Sequence, residues 1–129
     1  MGGKGDLITA SGGAIQAIFL NMADPNVEVD GERSSPKSHH PFLIDQRVRQ
    51  ALALAVDRET IARLLYGPIG KATANYLTTP TSLRSPNTTY EFNIDRSNQL
   101  LDQAGYARGG DSVRVTPSGV RMHVLLQGS

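Results

Sequence analysis

The stretch Phe42–Tyr66, FLIDQRVRQALALAVDRETIARLLY, decides the fold, because it holds the strongest helical pattern in the chain. From residue 48 its apolar side chains recur every three or four positions, the spacing that places them on one stripe of an α-helix. The residues of this stripe are Val48, Ala51, Leu52, Ala55 and Val56. The charged side chains between them fall elsewhere on the helical wheel and can face water.

The apolar pattern changes phase at Asp57. Continuing the first stripe would require apolar residues at 59, 60 and 63, where the chain has Glu, Thr and Arg, and a new set begins at Ile61, Leu64 and Leu65. Asp is a favoured N-cap, because its carboxylate accepts hydrogen bonds from free N–H groups of the first turn. Gly67 suits the left-handed position after a helix. The sequence therefore predicts helices at 45–56 and 58–66.

A third helix is predicted at 96–104, with Asp95 as its N-cap and Gly105 as its end. Its apolar stripe consists of Ser97, Leu100, Leu101 and Ala104. Residues 14–21 are apolar on both faces, which predicts a central strand covered on both sides. Residues 113–127 predict a hairpin with its turn at 116–119. The expected fold class is α/β (mixed α+β), with a mixed sheet against three main helices.

Three segments, in order, resemble the family 5 solute-binding proteins of bacterial ABC importers, which are peptide, dipeptide and nickel receptors. Residues 47–61, RVRQALALAVDRETI, resemble the family's "RVRQAL-x-x-AIDRE-x-I" segment. Residues 93–106 resemble its "D-x-x-x-A-x-x-LLDEAGY" helix, from which Ser97-Asn98 and Gln103 depart. Residues 17–25 resemble the strand that ends in Asn before the first helix. The ordered resemblance spans residues 17–127.

The resemblance implies that residues 1–129 are a single-domain fragment of a longer, two-lobed receptor, from its second large lobe. In this interpretation residues 1–13 are a flexible start, Met1 and Gly128-Ser129 are artificial ends, and 27–41 is a long polar loop. Such a receptor captures an oligopeptide or related solute between its lobes and delivers it to a membrane permease. The resemblance implies no enzymatic activity and no cofactor. It also implies a periplasmic or extracytoplasmic location, with a lipid anchor as one option.

The amino-acid composition limits the classes of protein and of binding partner that remain. The chain has 13 basic and 12 acidic side chains and a net charge of +1, which gives no electrostatic reason to expect a nucleic-acid partner. It has no Cys, so disulfides and thiolate metal sites are excluded. No apolar run approaches the about 18 residues of a membrane span. The first residues also lack the apolar region of a signal peptide. A fragment without its lobe partners could self-associate through exposed apolar surface.

His39-His40 is the best metal candidate in the sequence, and Glu28, Asp30 and Glu32 could add oxygen ligands if the loop folded back. Adjacent histidines do not converge easily on one ion, so a solvated loop pair is the preferred interpretation. Two other hypotheses apply to the whole chain. One is a small enzyme that reuses this lobe, for which the sequence shows no nucleophile and base that would converge in a pocket. The other is a stand-alone interaction module in which residues 27–41 bind a partner protein.

Other chemically suggestive residues have simpler interpretations. The cluster Arg47, Arg49, Arg58 and Arg63 could bind an anion, but an amphipathic helix also needs a charged outer face. The four tyrosines, at 66, 76, 90 and 106, are interpreted as loop anchors, and His123 as a surface or packed residue. Gly70-Lys71 fails as a phosphate-binding loop, because residue 65 is Leu and residue 72 is Ala. Arg49, Asp57 and Gly105 match family motifs and are interpreted as structural. No catalytic, metal or ligand-binding residue is assigned.

Overall fold

Helix α1 spans Gln46–Leu54 and begins where Asp45 caps it. The Asp45 carboxylate accepts a hydrogen bond from the amide of Arg47, and Ala55 ends the helix. The predicted helix at 45–56 is therefore confirmed but shorter at its carboxyl end. Because the helix stops at Leu54, the last two residues of the predicted stripe leave it, and Leu54 is buried in their place.

The computed structural model describes residues 3, 5, 6, 8–10 and 12–127 of the chain. Met1, Gly128 and Ser129, which the sequence suggested as artificial ends, lie outside the described residues. Residues 2, 4, 7 and 11, which are part of the predicted flexible start, also lie outside the described residues.

Helix α2 spans Arg58–Tyr66, as predicted, and Asp57 caps it by accepting the amide of Thr60. The residue after it, Gly67, has a positive φ of 57°, as the sequence suggested. A short 3-10 turn, Gly67–Ile69, follows. The apolar residues of α2 are not buried, and Leu64 and Leu65 are each 69% exposed.

Helix α3 spans Ile94–Gln103 and begins earlier than predicted, because Asn93 and not Asp95 is its N-cap. The Asn93 side chain accepts the amide of Arg96, while Asp95 lies in the first turn. Gly105 follows the helix with φ of 84°, which favours glycine, so this predicted end is confirmed.

The hydrophobic core lies where α1 packs against α3. Val48 is fully buried, and it is surrounded by buried residues from the turn before α1 and from the end of α3. These are Phe42, Leu43, Ala104 and Tyr106, with Leu52, Leu101 and Met122 at the edge. The contacts confirm the inner faces predicted for these two helices near Val48 and Ala104.

The described sheet is smaller than predicted. It consists of β1, Glu28–Val29, and β2, Glu32–Arg33, which pair antiparallel with Glu28 opposite Arg33. Their turn is Asp30-Gly31, where both residues have positive φ, as a two-residue hairpin of this type requires. The loop predicted at 27–41 therefore contains a hairpin, and Asp30-Gly31 is the sequence signal that could have revealed it.

The prediction of a central strand at 14–21 is wrong. Within the described residues this segment forms no strand, and Ile18 and Phe19 are 59% and 80% exposed. Its pattern indicates an extended chain, but a strand also needs a backbone partner, and the part of the chain that the structure describes supplies none in the sheet. The predicted mixed sheet against the helices is corrected for the same reason.

The predicted hairpin at 113–127 forms only near its turn. The amide of Gly119 donates to the carbonyl oxygen of Thr116 at 2.8 Å, which confirms the turn. Two isolated bridges, Arg108 with Arg114 and Val115 with Arg121, replace the long ladder. Residues 122–127 form no strand. The fold class of three helices with a small sheet is nevertheless that of a mixed α/β fragment.

The chain divides into two compact units. The first combines Met1–Ala17 with Asp57–Glu91 and contains α2, and the second combines Ile18–Val56 with Phe92–Ser129 and contains α1, α3 and the hairpin. The core described above belongs to the second unit. Within the described residues, no helix has the length and apolar character needed to cross a bilayer.

Candidate functional site

A groove in the second unit is the candidate site. It has a volume of about 390 Å³ and lies between residues 20–23 and the loop that follows the hairpin. Apolar side chains of Leu20, Met22 and Ile44 form much of its lining, and polar groups come from Asn21, Ser34, Ser38 and His39. A groove of this kind can hold a side chain or a short peptide segment by apolar contact and a few hydrogen bonds.

The two walls of the groove are joined by hydrogen bonds. The amide of His40 donates to the carbonyl oxygen of Met22 at 2.8 Å, and the amide of Asp24 donates to Ser38 Oγ at 3.1 Å. Ser38 is buried, and its hydroxyl donates to the carbonyl oxygen of Ser35 at 2.8 Å. The Ser38 hydroxyl is therefore engaged with backbone groups on both sides, which indicates a structural role and not that of a nucleophile.

His40 holds the turn that leads into α1. Its Nδ1 atom accepts the amides of Phe42, at 3.4 Å, and Leu43, at 3.2 Å. Its ring meets the Phe42 ring edge to face, with centroids 4.4 Å apart. Burial lowers the pKa of His40, and the negative charge of Asp24 partly opposes this shift. The neutral ring therefore orders the chain just before the core residues Phe42 and Leu43.

Asp45 is the centre of a polar cluster beside this turn. Its carboxylate forms a two-pronged ion pair with the Arg47 guanidinium, at 2.8 and 3.1 Å, and accepts the Tyr106 hydroxyl at 3.2 Å. The hydrogen bond from Arg47 lowers the pKa of Asp45. Burial, followed by the nearby Asp45 charge, raises the pKa of Tyr106. The cluster fastens the end of α3 to the start of α1.

A second polar cluster surrounds the buried guanidinium of Arg114. Its Nη1 atom donates to Asp102 Oδ1 at 2.5 Å and to the carbonyl oxygen of Tyr106 at 2.6 Å, and its Nη2 atom donates to Asn98. The side chain of Arg114 is 9% exposed, while that of Asp102 is 62% exposed. These partners account for the guanidinium within the fold, so the cluster braces α3 and does not form an anion site.

The predicted metal candidates do not converge. His39 is exposed, His40 is occupied by the two amides, and Asp30 pairs with Lys37. Glu28 and Glu32 lie in β1 and β2. Among the described residues no group of three His, Cys, Asp or Glu side chains is arranged to hold a metal ion.

The four arginines of the predicted anion cluster have separate surroundings. Arg47 pairs with Asp45, and Arg49 donates to the carbonyl oxygens of Leu43 and Ile44, both at 2.8 Å. In the first unit, Arg58 lies over the Tyr90 ring at 5.2 Å, and the charge of Arg63 contributes to a lowered pKa of Asp57, whose main cause is the Thr60 amide. The interpretation as a charged outer helix face is the better one.

The remaining candidates are structural or exposed. Tyr106 anchors the core, Tyr90 donates its hydroxyl to Glu59, and Tyr76 is exposed. His123 is exposed. Gly70 lies against α2, because a Cβ built there would be 2.4 Å from the carbonyl oxygen of Ala62. This close approach explains the glycine without a phosphate ligand.

Two residues have structural roles that the sequence analysis does not predict. For His40 the sequence suggests a metal ligand or a solvated loop residue, although the position of the ring two and three residues before the amides that it accepts is a local pattern. For Arg114 the sequence predicts only a place in the hairpin at 113–127. Its partners come from α3 and the residues after it, between 8 and 16 positions away, and nothing in the sequence pattern selects them.

Comparison with known protein families gives one match, which covers residues 2–127. The matching family is described as bacterial extracellular solute-binding proteins, family 5 Middle. No curated protein matches the chain. No solved structure matches it either. The match covers nearly the whole chain and agrees with the three ordered segments in the sequence. The chain belongs to family 5 of the bacterial extracellular solute-binding proteins.

Proposed function

We propose that this chain is one part of a two-lobed receptor that captures an oligopeptide or related solute and delivers it to an ABC permease. The observation that carries the proposal is the family match over residues 2–127. The whole receptor would hold its solute between two lobes that close by a hinge motion. Its solute would be bound, not chemically changed.

The contacts of the motif residues support a scaffold role for this part of the receptor. Arg49 binds two backbone carbonyls before α1, Asp57 caps α2, and Gly105 occupies a positive-φ position. The polar side chains of Arg49 and Asp57 are thus engaged in hydrogen bonds within the fold. We therefore expect the main solute contacts to come from other residues of the receptor, outside the groove beside Ile44.

The proposal also includes location and partners. A receptor of this kind works outside the cytoplasm, in the periplasm or held at the membrane by a lipid anchor, and meets its permease there. It includes self-association of the chain by itself, because apolar side chains such as Leu64 and Leu65 are exposed.

A second candidate function is a stand-alone interaction module that uses the loop 27–41. One observation favours it: Ser34, Pro36, Ser38 and His39 of this loop line the groove. In this alternative, a partner protein would insert a short segment there. Both candidates involve binding, but they differ in the ligand and in the surface that holds it.

A thermal-shift experiment tests the proposed receptor. The protein that contains this chain is heated with pools of short peptides, and with free amino acids and nickel salts as controls. A ligand that binds only the folded state at 100 times its Kd stabilises it by about 2.7 kcal/mol. Stabilisation by peptides supports the receptor, and no shift with any peptide pool contradicts the proposed solute class.

The variant Ile44→Lys separates the two candidates. Ile44 is a half-exposed residue at the groove, so a charge there leaves the core in place and blocks apolar contact. A receptor whose solute lies between lobes retains its peptide shift in this variant. Loss of partner binding with no effect of peptides favours the interaction module.

A further inference from the structure

The His40 ring is a hydrogen-bond acceptor at a position where two backbone donors meet. The amides of Phe42 and Leu43 both point at Nδ1, at 3.4 and 3.2 Å. A histidine nitrogen accepts a hydrogen bond only when it carries no proton. The geometry therefore requires the neutral ring, with its proton on Nε2.

A proton on Nδ1 would turn the acceptor into a donor that faces two other donors. Both hydrogen bonds would be lost, and the positive ring would lie against the two amide donors. The two amides belong to Phe42 and Leu43, which are core residues. Protonation of His40 would therefore disturb the backbone of the two residues whose side chains pack on α1.

The charged groups around the ring do not remove this conflict. Asp24 is the negative group that favours the protonated ring, but burial is the larger effect and lowers the pKa of His40 from its ordinary value of 6.5. On the other side of the turn, the positive Arg49 guanidinium is bound to the carbonyls of Leu43 and Ile44. Asp45, the next acidic group along the chain, is paired with Arg47.

We propose that His40 is a proton-sensitive latch, which holds the turn 41–44 and the adjoining groove wall in place near neutral pH and releases them in mild acid. The wall concerned includes Ser38, His39 and Ile44. The folded state favours the neutral ring, so the unfolded state binds more protons as the pH falls below 6.5. The latch therefore contributes stability above this pH and loses it progressively below. The inference stands on the geometry of the turn and is independent of the proposed function.

Amide exchange measured by NMR on the full chain tests the latch. Protection of Phe42 and Leu43 is followed from about pH 7.5 to about pH 5, the range in which histidines change charge, with correction for the chemical exchange rate. His40→Asn is the key variant, because the asparagine Oδ1 atom can occupy the place of Nδ1 and accept the same amides without titrating. His39→Asn is the matched control at the exposed neighbour.

The latch predicts that acid lowers the protection of both amides by about threefold to tenfold in the wild type, the value of about one net hydrogen bond. The His39→Asn variant should show the same loss, and His40→Asn should show none. An equal loss in His40→Asn, or constant protection in the wild type, overturns the proposal.

A second measurement does not depend on any variant. The ¹⁵N shifts of the His40 ring in the wild type report which nitrogen carries the proton at neutral pH. The latch requires the proton on Nε2 and a ring that titrates below 6.5. A proton on Nδ1 at neutral pH, or titration above that value, contradicts it.

Discussion

The Ser97 hydroxyl on α3 donates a hydrogen bond of 2.7 Å to the carbonyl oxygen of Ala51 on α1. Both residues are buried, and the same carbonyl also accepts the amide of Ala55 at 3.1 Å within its own helical turn. The two helices therefore meet at a point where only small side chains fit. Ser97 departs from the usual family pattern, and this contact shows how the departure is accommodated.

Ser97→Ala should lower the free energy of unfolding by about 0.5–1.5 kcal/mol, the net value of one hydrogen bond, because the Ala51 carbonyl keeps its helical partner. Ser97→Leu should cost more, about 1–3 kcal/mol, because it overfills the helix contact. Urea denaturation measures both, with the exposed Ser82→Ala as control. Equal effects for the alanine and leucine variants would show that α1 and α3 are not tightly packed here.

Arg114→Ala should destabilise the chain by about 1–3 kcal/mol, because it leaves the buried carbonyl oxygen of Tyr106 without its donor. Asp102 contributes little to this cost, since its carboxylate is largely exposed and remains solvated. The matched control is Arg121→Ala, which removes an exposed ion pair with Asp111 and should cost at most about 1 kcal/mol. Similar losses for the two variants would contradict the bracing role of Arg114.

The stability that the Asp45 carboxylate contributes should be lost in acid. Its pKa in the folded state is lowered, so its contribution is complete above the ordinary value of 3.8 and is lost as the pH falls through the lower, folded-state value. Asp45→Asn keeps a capping oxygen but not the charge. The variant should be less stable than the wild type at pH 7, and the two denaturation curves should converge in strong acid. A constant difference at every pH would exclude the charge as the cause.

Gly70→Ala should loosen the turn after α2, because the added Cβ would meet the Ala62 carbonyl at 2.4 Å and the Tyr66 Cβ at 2.9 Å. Overpacking of this kind costs about 1–3 kcal/mol. Hydrogen exchange of the α2 amides measures the effect. Gly110→Ala is the control, since nothing lies within 4 Å of a Cβ at that position, and it should leave exchange unchanged. If the α2 amides of Gly70→Ala exchange at the same rate as those of the wild type, the turn can move freely to accommodate the added Cβ.

The helices could be predicted from the sequence because their signals are local. Asp57 and Gly67 bound α2 as expected, and Asp45 and Gly105 lie at helix ends. The sequence predicts the N-cap of α3 two residues too late, at Asp95, because Asn93 and Asp95 are both good caps, and the choice between them depends on where the chain enters the helix. The side chain of Asn93 accepts the Arg96 amide, which settles it.

The sheet and the site could not be predicted in the same way, because they depend on contacts between distant residues. The pattern of residues 14–21 carries no information about a backbone partner, and the exposed Phe19 shows that it lacks cover in the described fold. Likewise, the apolar spacing of Leu64 and Leu65 defines a face but not what covers it. The role of His40 becomes visible only when its ring and the two amides are seen together.

The most direct test of the central claim is native mass spectrometry of the protein that contains this chain, purified without denaturation. The account predicts a co-purifying mass of peptide size that is released on unfolding. A bound metal complex in place of a peptide would replace the proposed solute class with a metal-type one. A protein that carries nothing and also ignores a peptide library would contradict the proposed role as a peptide receptor.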